Sequence, residues 1–256
     1  MQWNFQSATR TGGRDIQQDR LGILHCDDHN VSLAILADGV GGYENGEQAA
    51  QLLVDTARDQ FTSGNIEDPE IFFSLVYKAC HNELTNMRKT SGILSATTCV
   101  MLLIKDDEAH WMHVGDSRLY HFRHNDFVFK TRDHALYELE EHELESLGFH
   151  RNADTRALYM CLGGQNEIHP EFGISAIDEH DSFMLCSDGV WGALHPFEIA
   201  EIINLHPDTD GFAEILVNLA VEKNGVRSDN TSMIFASPIR AKCRSGRISR
   251  LLSAFK

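Results

Sequence analysis

Apolar and polar positions change period along this chain, and the changes mark its elements. Strand-like alternation opens it in Trp3-Asn4-Phe5-Gln6, and apolar runs follow at Leu21–Leu24 and Val31–Leu36. From Glu44 to Phe61 the period lengthens to that of a helix, with Ala49, Ala50, Leu53, Val54, Ala57 and Phe61 on one face. A second helix is predicted from Pro69 to Lys89, with proline in its first turn and Phe72, Val76, Ala79, Cys80 and Leu84 inward. Strands resume at Thr97–Ile104, Ala109–Val114, Leu119–Phe122 and Phe127–Lys130, the last two joined by a turn at His124-Asn125-Asp126. Ala135–Leu147 reads as an acidic helix, and irregular chain follows to about Gly164. Strands near Phe172–Ile174 and Phe183–Cys186, helices over Pro196–Asn204 and Asp210–Lys223, and a strand over Thr231–Ser237 complete the order.

Strands, two helices, strands, two helices and a strand predict an α+β fold. The expected architecture is a four-layer α-β-β-α sandwich, with two mostly antiparallel sheets flanked by helix pairs. No repeat or low-complexity linker divides the chain, and 256 residues suit one large domain. That domain is assigned to residues 1–238, and residues 239–256 form a separate basic, amphipathic tail.

Composition places the chain among globular proteins, with 42% hydrophobic residues. Apolar runs such as Cys99–Ile104 are far too short to span a bilayer. The opening MQWNFQSATRTGGR lacks the apolar core of a signal peptide. Six cysteines show neither close pairing nor zinc-type spacing, and several sit in strand-like runs as small hydrophobes. A reducing cytoplasm is the expected location. Charge is uneven: six of the 22 bases lie in residues 240–256, which hold no acid, so the other 239 residues carry 16 bases against 38 acids. Such a body repels nucleic acid and anionic membranes. A phosphorylated substrate is repelled as well, unless bound cations reverse the field where it docks.

Aspartates recur where strands end. "LAILADGVGG" places Asp38 at the end of an apolar run, and "FMLCSDGVWG" does the same with Asp188. "MHVGDSRLY" holds Asp116 between two strands, while "VRSDNTSMIF" and "RDIQQDRLGIL" set Asp229 and Asp19 just before strands. Each alone reads as ordinary turn or helix-cap chemistry. Gathered at one sheet edge, five carboxylates repel one another and lose hydration. Hard divalent cations such as Mg²⁺ or Mn²⁺ relieve that, since they prefer carboxylate, carbonyl and water oxygens.

The segments "RDIQQD", "ADGVGG", "SATTCV", "VGDSRLY", "TRDH", "CSDGVWG" and "SDNTS" resemble, in order and interval, the successive motifs of the metal-dependent protein phosphatases, the type 2C serine/threonine family. The resemblance runs from about Gly12 to Ser237 and is closest to the bacterial branch. It implies that Asp38 bridges two catalytic metals, that the Gly39 carbonyl ligates one of them, and that Asp188 and Asp229 complete the other's shell. Asp19 matches an acid touching the cluster through water, and Asp116 with Asp188 matches the ligands of a weak third ion. Arg14 matches the arginine that grips the substrate phosphate, a task suited to its fixed fork of donors. The implied reaction is hydrolysis of phosphoserine and phosphothreonine in proteins by a hydroxide held between two metals, without a phosphoenzyme. The implied partners are a phosphoprotein substrate and a cognate Ser/Thr kinase, with no nucleic acid, and the implied state is a monomer.

Three positions depart from the family's pattern. Gln17-Gln18 replaces the usual Asn-Glu, Val40 stands where some eukaryotic members carry a histidine, and Gly192 stands where an aspartate commonly follows the tryptophan. Loss of the last carboxylate weakens any third-ion site. These departures sustain an alternative, a pseudophosphatase that binds phosphoproteins or kinases without turnover. A metal-dependent nuclease is disfavoured by the acidic body. His110-x-x-His113 and His121-x-x-His124 are expected to be core or surface histidines, because that spacing on a strand points the rings to opposite faces. Ser117, Ser187, Ser228, Thr97 and Thr98 are expected to make structural hydrogen bonds. In the tail, Ile248, Leu251, Leu252 and Phe255 form an apolar helical stripe flanked by Arg247, Arg250 and Lys256. It suits either docking on the acidic domain or contact with an anionic membrane or acidic partner.

Overall fold

Each central strand carries apolar residues on both faces, and that double burial dictates four layers. The computed structural model describes residues 1–40, 45–64, 66–148, 156–205 and 211–239. One sheet has the order β1 (Trp3–Arg10), β10 (Thr231–Pro238), β9 (Asp181–Cys186), β6 (Arg118–Arg123) and β7 (Asp126–Lys130). The other has β2 (Arg20–Cys26), β3 (Val31–Ala37), β4 (Cys99–Lys105), β5 (Glu108–Val114) and β8 (Glu171–Ala176). Every neighbouring pair is antiparallel. Helices α1 (Gly46–Thr62) and α2 (Pro69–Ser91) cover the second sheet, and α4 (Asp188–Trp191), α5 (Pro196–Leu205) and α6 (Phe212–Asn224) pack with the first. The expected sandwich is the one observed.

Alternation sorts the core into three apolar layers. In β3 and β4, Leu33, Ile35, Met101 and Leu103 pack with the Leu53, Val54, Phe72 and Phe73 side chains of α1 and α2. Their neighbours Ala34, Leu36, Val100 and Leu102 turn the other way, against Phe183 and Leu185 of β9 and Ile234 of β10. On the far side Met184 and Phe235 meet Ile199, Phe212 and Leu216 of α5 and α6. Cys80, Cys99 and Cys186 are buried free thiols within these layers, and Cys161 is a further buried thiol.

Local signals account for the boundaries. Asp68 caps α2 by accepting the Glu70 and Ile71 amides, Pro69 opens it, and Gly92 closes it in the left-handed conformation (φ 73°). The β6–β7 hairpin turns at His124 and Asn125, both with positive φ, as a two-residue turn matched to strand twist requires. The expected helix over Ala135–Leu147 is a correction: the chain forms a 3₁₀ turn at Leu136–Glu138 and a short α3 at Glu141–Ser146. Ala135 is instead bridged to Leu158, and Leu136 is buried. Tertiary burial here overrides the helical propensity of the acidic run. Residues 240–256, the basic tail, lie outside the described residues. Among those described, no helix is long and apolar enough to cross a membrane.

Register then fixes where the loops meet. Arg10 pairs with Thr231, and Cys186 pairs with both Met233 and Arg118, so β1 and β9 end where β10 and β6 begin. In the second sheet Arg20 pairs with Ala37 and Cys99 with Val114. Thr98 hydrogen-bonds Ser117, Gln18 bonds Asn230 and Ser187 bonds Asp19, which ties the two edges together.

Replacing Leu102 by alanine removes a fully buried side chain from the layer between the sheets. The expected loss is about 2–5 kcal/mol, read from urea denaturation; a loss well under ~1 kcal/mol would show that this layer is loosely packed.

Candidate functional site

Antiparallel register carries Arg14, Asp19, Asp38, Asp116, Asp188 and Asp229 to that shared edge. Asp38 follows β3 directly and is held through its backbone. Its N–H donates to Thr98 Oγ1 (3.0 Å), and its carbonyl accepts from the Thr98 N–H (2.8 Å) and Thr97 Oγ1 (3.0 Å). Next to it, a Cβ on Gly39 would lie 2.5 Å from the backbone of Gly46, so glycine is required where α1 begins. Asp188 opens α4, and the following Gly189 approaches the Asn230 carbonyl so closely that a Cβ would sit 2.2 Å from it.

The Arg14 loop is built against Asp229. Gly12 has φ +66°, and a Cβ there would meet the Asp229 carbonyl at 2.3 Å. The Gly13 N–H donates to the Ser228 carbonyl (2.8 Å). Asn230 closes the loop from beneath, donating through Nδ2 to the carbonyls of Thr11 (2.9 Å) and Ile16 (3.0 Å), while its Oδ1 accepts the Gln18 N–H (2.8 Å). The outcome is a 2.6 Å ion pair from Arg14 Nη2 to Asp229 Oδ2. Gln17, a departure at sequence level, has a structural use: its Oε1 accepts the Asp19 N–H and its Nε2 donates to Thr9 and Arg10.

The charges of these acids act on one another. Burial, then the charges of Asp19, Asp188 and Asp116, push Asp38 well above the usual carboxylate range. Burial and the charges of Asp116, Asp229 and Asp19 push Asp188 to about 8. Asp116 rises to about 6 through burial and the charge of Asp133. Asp19 also rises to about 6 by burial, although Ser187 Oγ donates to its Oδ2 at 2.9 Å; its Oδ1 is buried with no hydrogen-bond partner. A buried cluster of oxygen donors whose charged forms are disfavoured first by lost hydration and then by one another, with one carboxylate oxygen left orphaned, fits hard divalent cations.

Sequence reading left the supports of Asp116 unassigned. Arg118 grips Asp133 through two bonds, Nε to Oδ1 (2.8 Å) and Nη2 to Oδ2 (2.7 Å), and Tyr137 Oη also donates to Asp133. The guanidinium lies 3.7 Å from the Trp191 ring centroid, and Trp191 Nε1 donates to the Asp116 carbonyl (2.9 Å). "VGDSRLY", "TRDH" and "CSDGVWG" contain Asp116, Arg118, Asp133 and Trp191, yet only the fold shows that Arg118 and Asp133 are partners. Thr97, Thr98 and Ser187 make the expected hydrogen bonds, and they make them to the aspartates. His113 pairs with His134 across stacked rings (centroids 4.5 Å apart) rather than with His110.

Known proteins share this chain's family and fold. The family profile described as "Protein phosphatase 2C" matches residues 10–220. Protein phosphatase PhpP of Streptococcus pneumoniae is 25% identical over 234 residues, covering 87% of this chain and 94% of its own. The solved structure of the S. agalactiae serine/threonine phosphatase superposes with a TM-score of 0.79 at 22% identity, over 92% of this chain and 99% of the other. The catalytic domain of the phosphatase PstP in complex with 2 manganese ions gives 0.75 at 22% identity, over 92% and 97%.

The raised carboxylates set a pH trend in protein stripped of divalent ions. Unfolded aspartates release their protons near pH ~4, whereas Asp19 and Asp116 hold theirs to about 6 and Asp188 to about 8. The folded state therefore binds more protons across that window, and stability falls as pH rises through it. The metal-free Tm is expected to drop from about pH 5 to about pH 8.5, and added Mn²⁺ to restore it most at the alkaline end. A metal-free Tm that climbs over the same range would contradict the shared field.

Proposed function

Because the chain belongs to the protein phosphatase 2C family, we propose that it hydrolyses phosphoserine and phosphothreonine in proteins, using Mg²⁺ or Mn²⁺ held at the aspartate cluster. The supporting observation is the convergence of Asp38, Asp188, Asp229, Asp19 and Asp116 beside Arg14, with Asp38, Asp188, Asp19 and Asp116 raised by burial and then by neighbouring carboxylates. The related catalytic domain of PstP is a complex with 2 manganese ions. Asp38, Asp188, Asp229 and the Gly39 carbonyl are the assigned ligands of two ions, with Asp19 in contact and Asp116 with Asp188 serving a weaker third. Bound there, the ions supply Lewis acidity that makes water nucleophilic near neutral pH.

The chain's own residues do the rest. Arg14 is exposed at the rim, and Asp229 orients its guanidinium, leaving donors free to take two phosphate oxygens. Thr97 and Thr98 fix the Asp38 backbone, so its carboxylate needs little reorganisation as the substrate binds. The acidic body disfavours phosphoproteins elsewhere on its surface, which concentrates docking at the cation-bearing edge.

Hydrolysis of a phosphothreonine peptide should need Mn²⁺ or Mg²⁺ and stop with chelator. Asp38→Asn should lower it by more than about 100-fold, beyond the usual effect of an outer-shell change, with no fall in the metal-free Tm because a repelling charge is gone. Arg14→Ala should raise KM for the peptide with a smaller change in kcat. Metal-dependent peptide binding without turnover would instead identify a regulatory binding module.

Gly192 bears on the third ion. It sits one helical turn after Asp188, whose carbonyl accepts its N–H (2.8 Å). Gly192→Asp should shift the Mn²⁺ activation curve to lower concentration. The cost should be a small loss of Tm, since a Cβ would meet that carbonyl at 2.9 Å. Superimposable activation curves would remove the third ion from the assignment.

A further inference from the structure

His113 is wholly buried in β5, and its hydrogen bonding fixes its protonation. Nε2 lies 2.8 Å from the carbonyl of Arg132, which can only accept, so the proton is on Nε2 and the lone pair on Nδ1. That Nδ1 is buried with no hydrogen-bond partner. An orphaned polar atom of this kind is costly, and proteins keep few of them without a reason. The β5–β8 register sets Glu171 directly opposite His113, with Oε2 3.9 Å from the free nitrogen. The ring of buried His134 stacks on His113, and ligand atoms of the three residues lie within 4.8 Å of one another.

We propose that His113, His134 and Glu171 form a site for a divalent transition-metal ion of the Zn²⁺ class, separate from the aspartate cluster. Two imidazoles and one carboxylate suit such an ion and leave a coordination position for water. Magnesium, which favours oxygen ligands, competes poorly for it. The Arg132 carbonyl supplies the outer contact that orients a metal-binding histidine. Both rings are neutral near pH 7, His134 being pushed down to about 3 by burial and by its neighbour. Glu171 is half exposed and free to close the remaining distance.

Occupancy has a necessary consequence at Asp116. The Gly115 N–H donates to His134 Nδ1 (3.1 Å). A neutral imidazole has one lone pair and one N–H. If Nδ1 binds the ion, its lone pair is taken; if Nε2 binds, the proton moves to Nδ1. In either case Gly115 loses its acceptor. Gly115 has φ +103° and immediately precedes Asp116, so the two sites are linked through one turn.

The test is calorimetric titration of the full-length protein with Zn²⁺ in excess Mg²⁺, with Co²⁺ absorption reporting a nitrogen-containing ligand set. Wild type should take up a single equivalent that Mg²⁺ does not displace, and the Gly115 amide resonance should shift with occupancy. Glu171→Gln, at a half-exposed position that tolerates the change, should weaken uptake by more than about tenfold, and His113→Asn should abolish it. Asp38→Asn should leave it unchanged, which separates this site from the one proposed above. Uptake unaltered by both Glu171→Gln and His113→Asn, or none at all in excess Mg²⁺, would overturn the proposal.

Discussion

Repulsion among carboxylates gathered at one edge of two stacked sheets is the constraint around which this structure is arranged. Asp38 and Asp188 are each raised by burial and by the charges of the other acids, so no one of them is set independently. Holding such a group together requires a rigid frame, because every carboxylate gains by moving away. The frame is backbone-built. Thr97 and Thr98 pin Asp38, Asn230 pins the Arg14 loop to Asp229, and close glycine contacts at Gly12, Gly39 and Gly189 leave no slack between loops.

Around Asp116 the same problem is solved with charge. Asp133, itself a source of its raised pKa, is neutralised by the paired bonds of Arg118. Arg118 is in turn stacked on Trp191, whose indole N–H returns to the Asp116 carbonyl. The loop is closed: cation, ring, backbone and acid each fix the next. Breaking a buried pair of this sort leaves an uncompensated charge, so each member depends on the rest. Arg132, on the neighbouring residue, draws the acidic segment inward by pairing with Glu138 and Glu143.

The histidines show the complementary situation. His113 and His134 lie one loop away from the aspartates, yet burial favours their neutral form and leaves a lone pair where the acids leave a charge. Imidazole nitrogens and the aspartate oxygens thus lie in neighbouring turns. Gly115 belongs to both, since its amide rests on His134 and its successor is Asp116.

Most of the fold was legible in the sequence, because period-two and period-3.6 patterns report burial directly. Double-faced apolar runs such as Val31–Leu36 and Thr97–Ile104 required layers on both sides, and the structure supplies them. Aspartates at strand ends were legible too, as was their likeness to a phosphatase family. The segment Ala135–Leu147 was misread, since its helical pattern is local while the Ala135–Leu158 bridge and the burial of Leu136 are not. Spacing separated His113 from His110 onto opposite faces of a strand, but it gave no sign of His113's neighbour His134, twenty-one residues on. What only tertiary structure decided is which residues meet: antiparallel register brings five chain segments to one edge, pairs Arg118 with Asp133 and places Glu171 opposite His113. A sequence records what each position prefers to bury or expose, but partnership between distant positions comes into being only when strands settle into register.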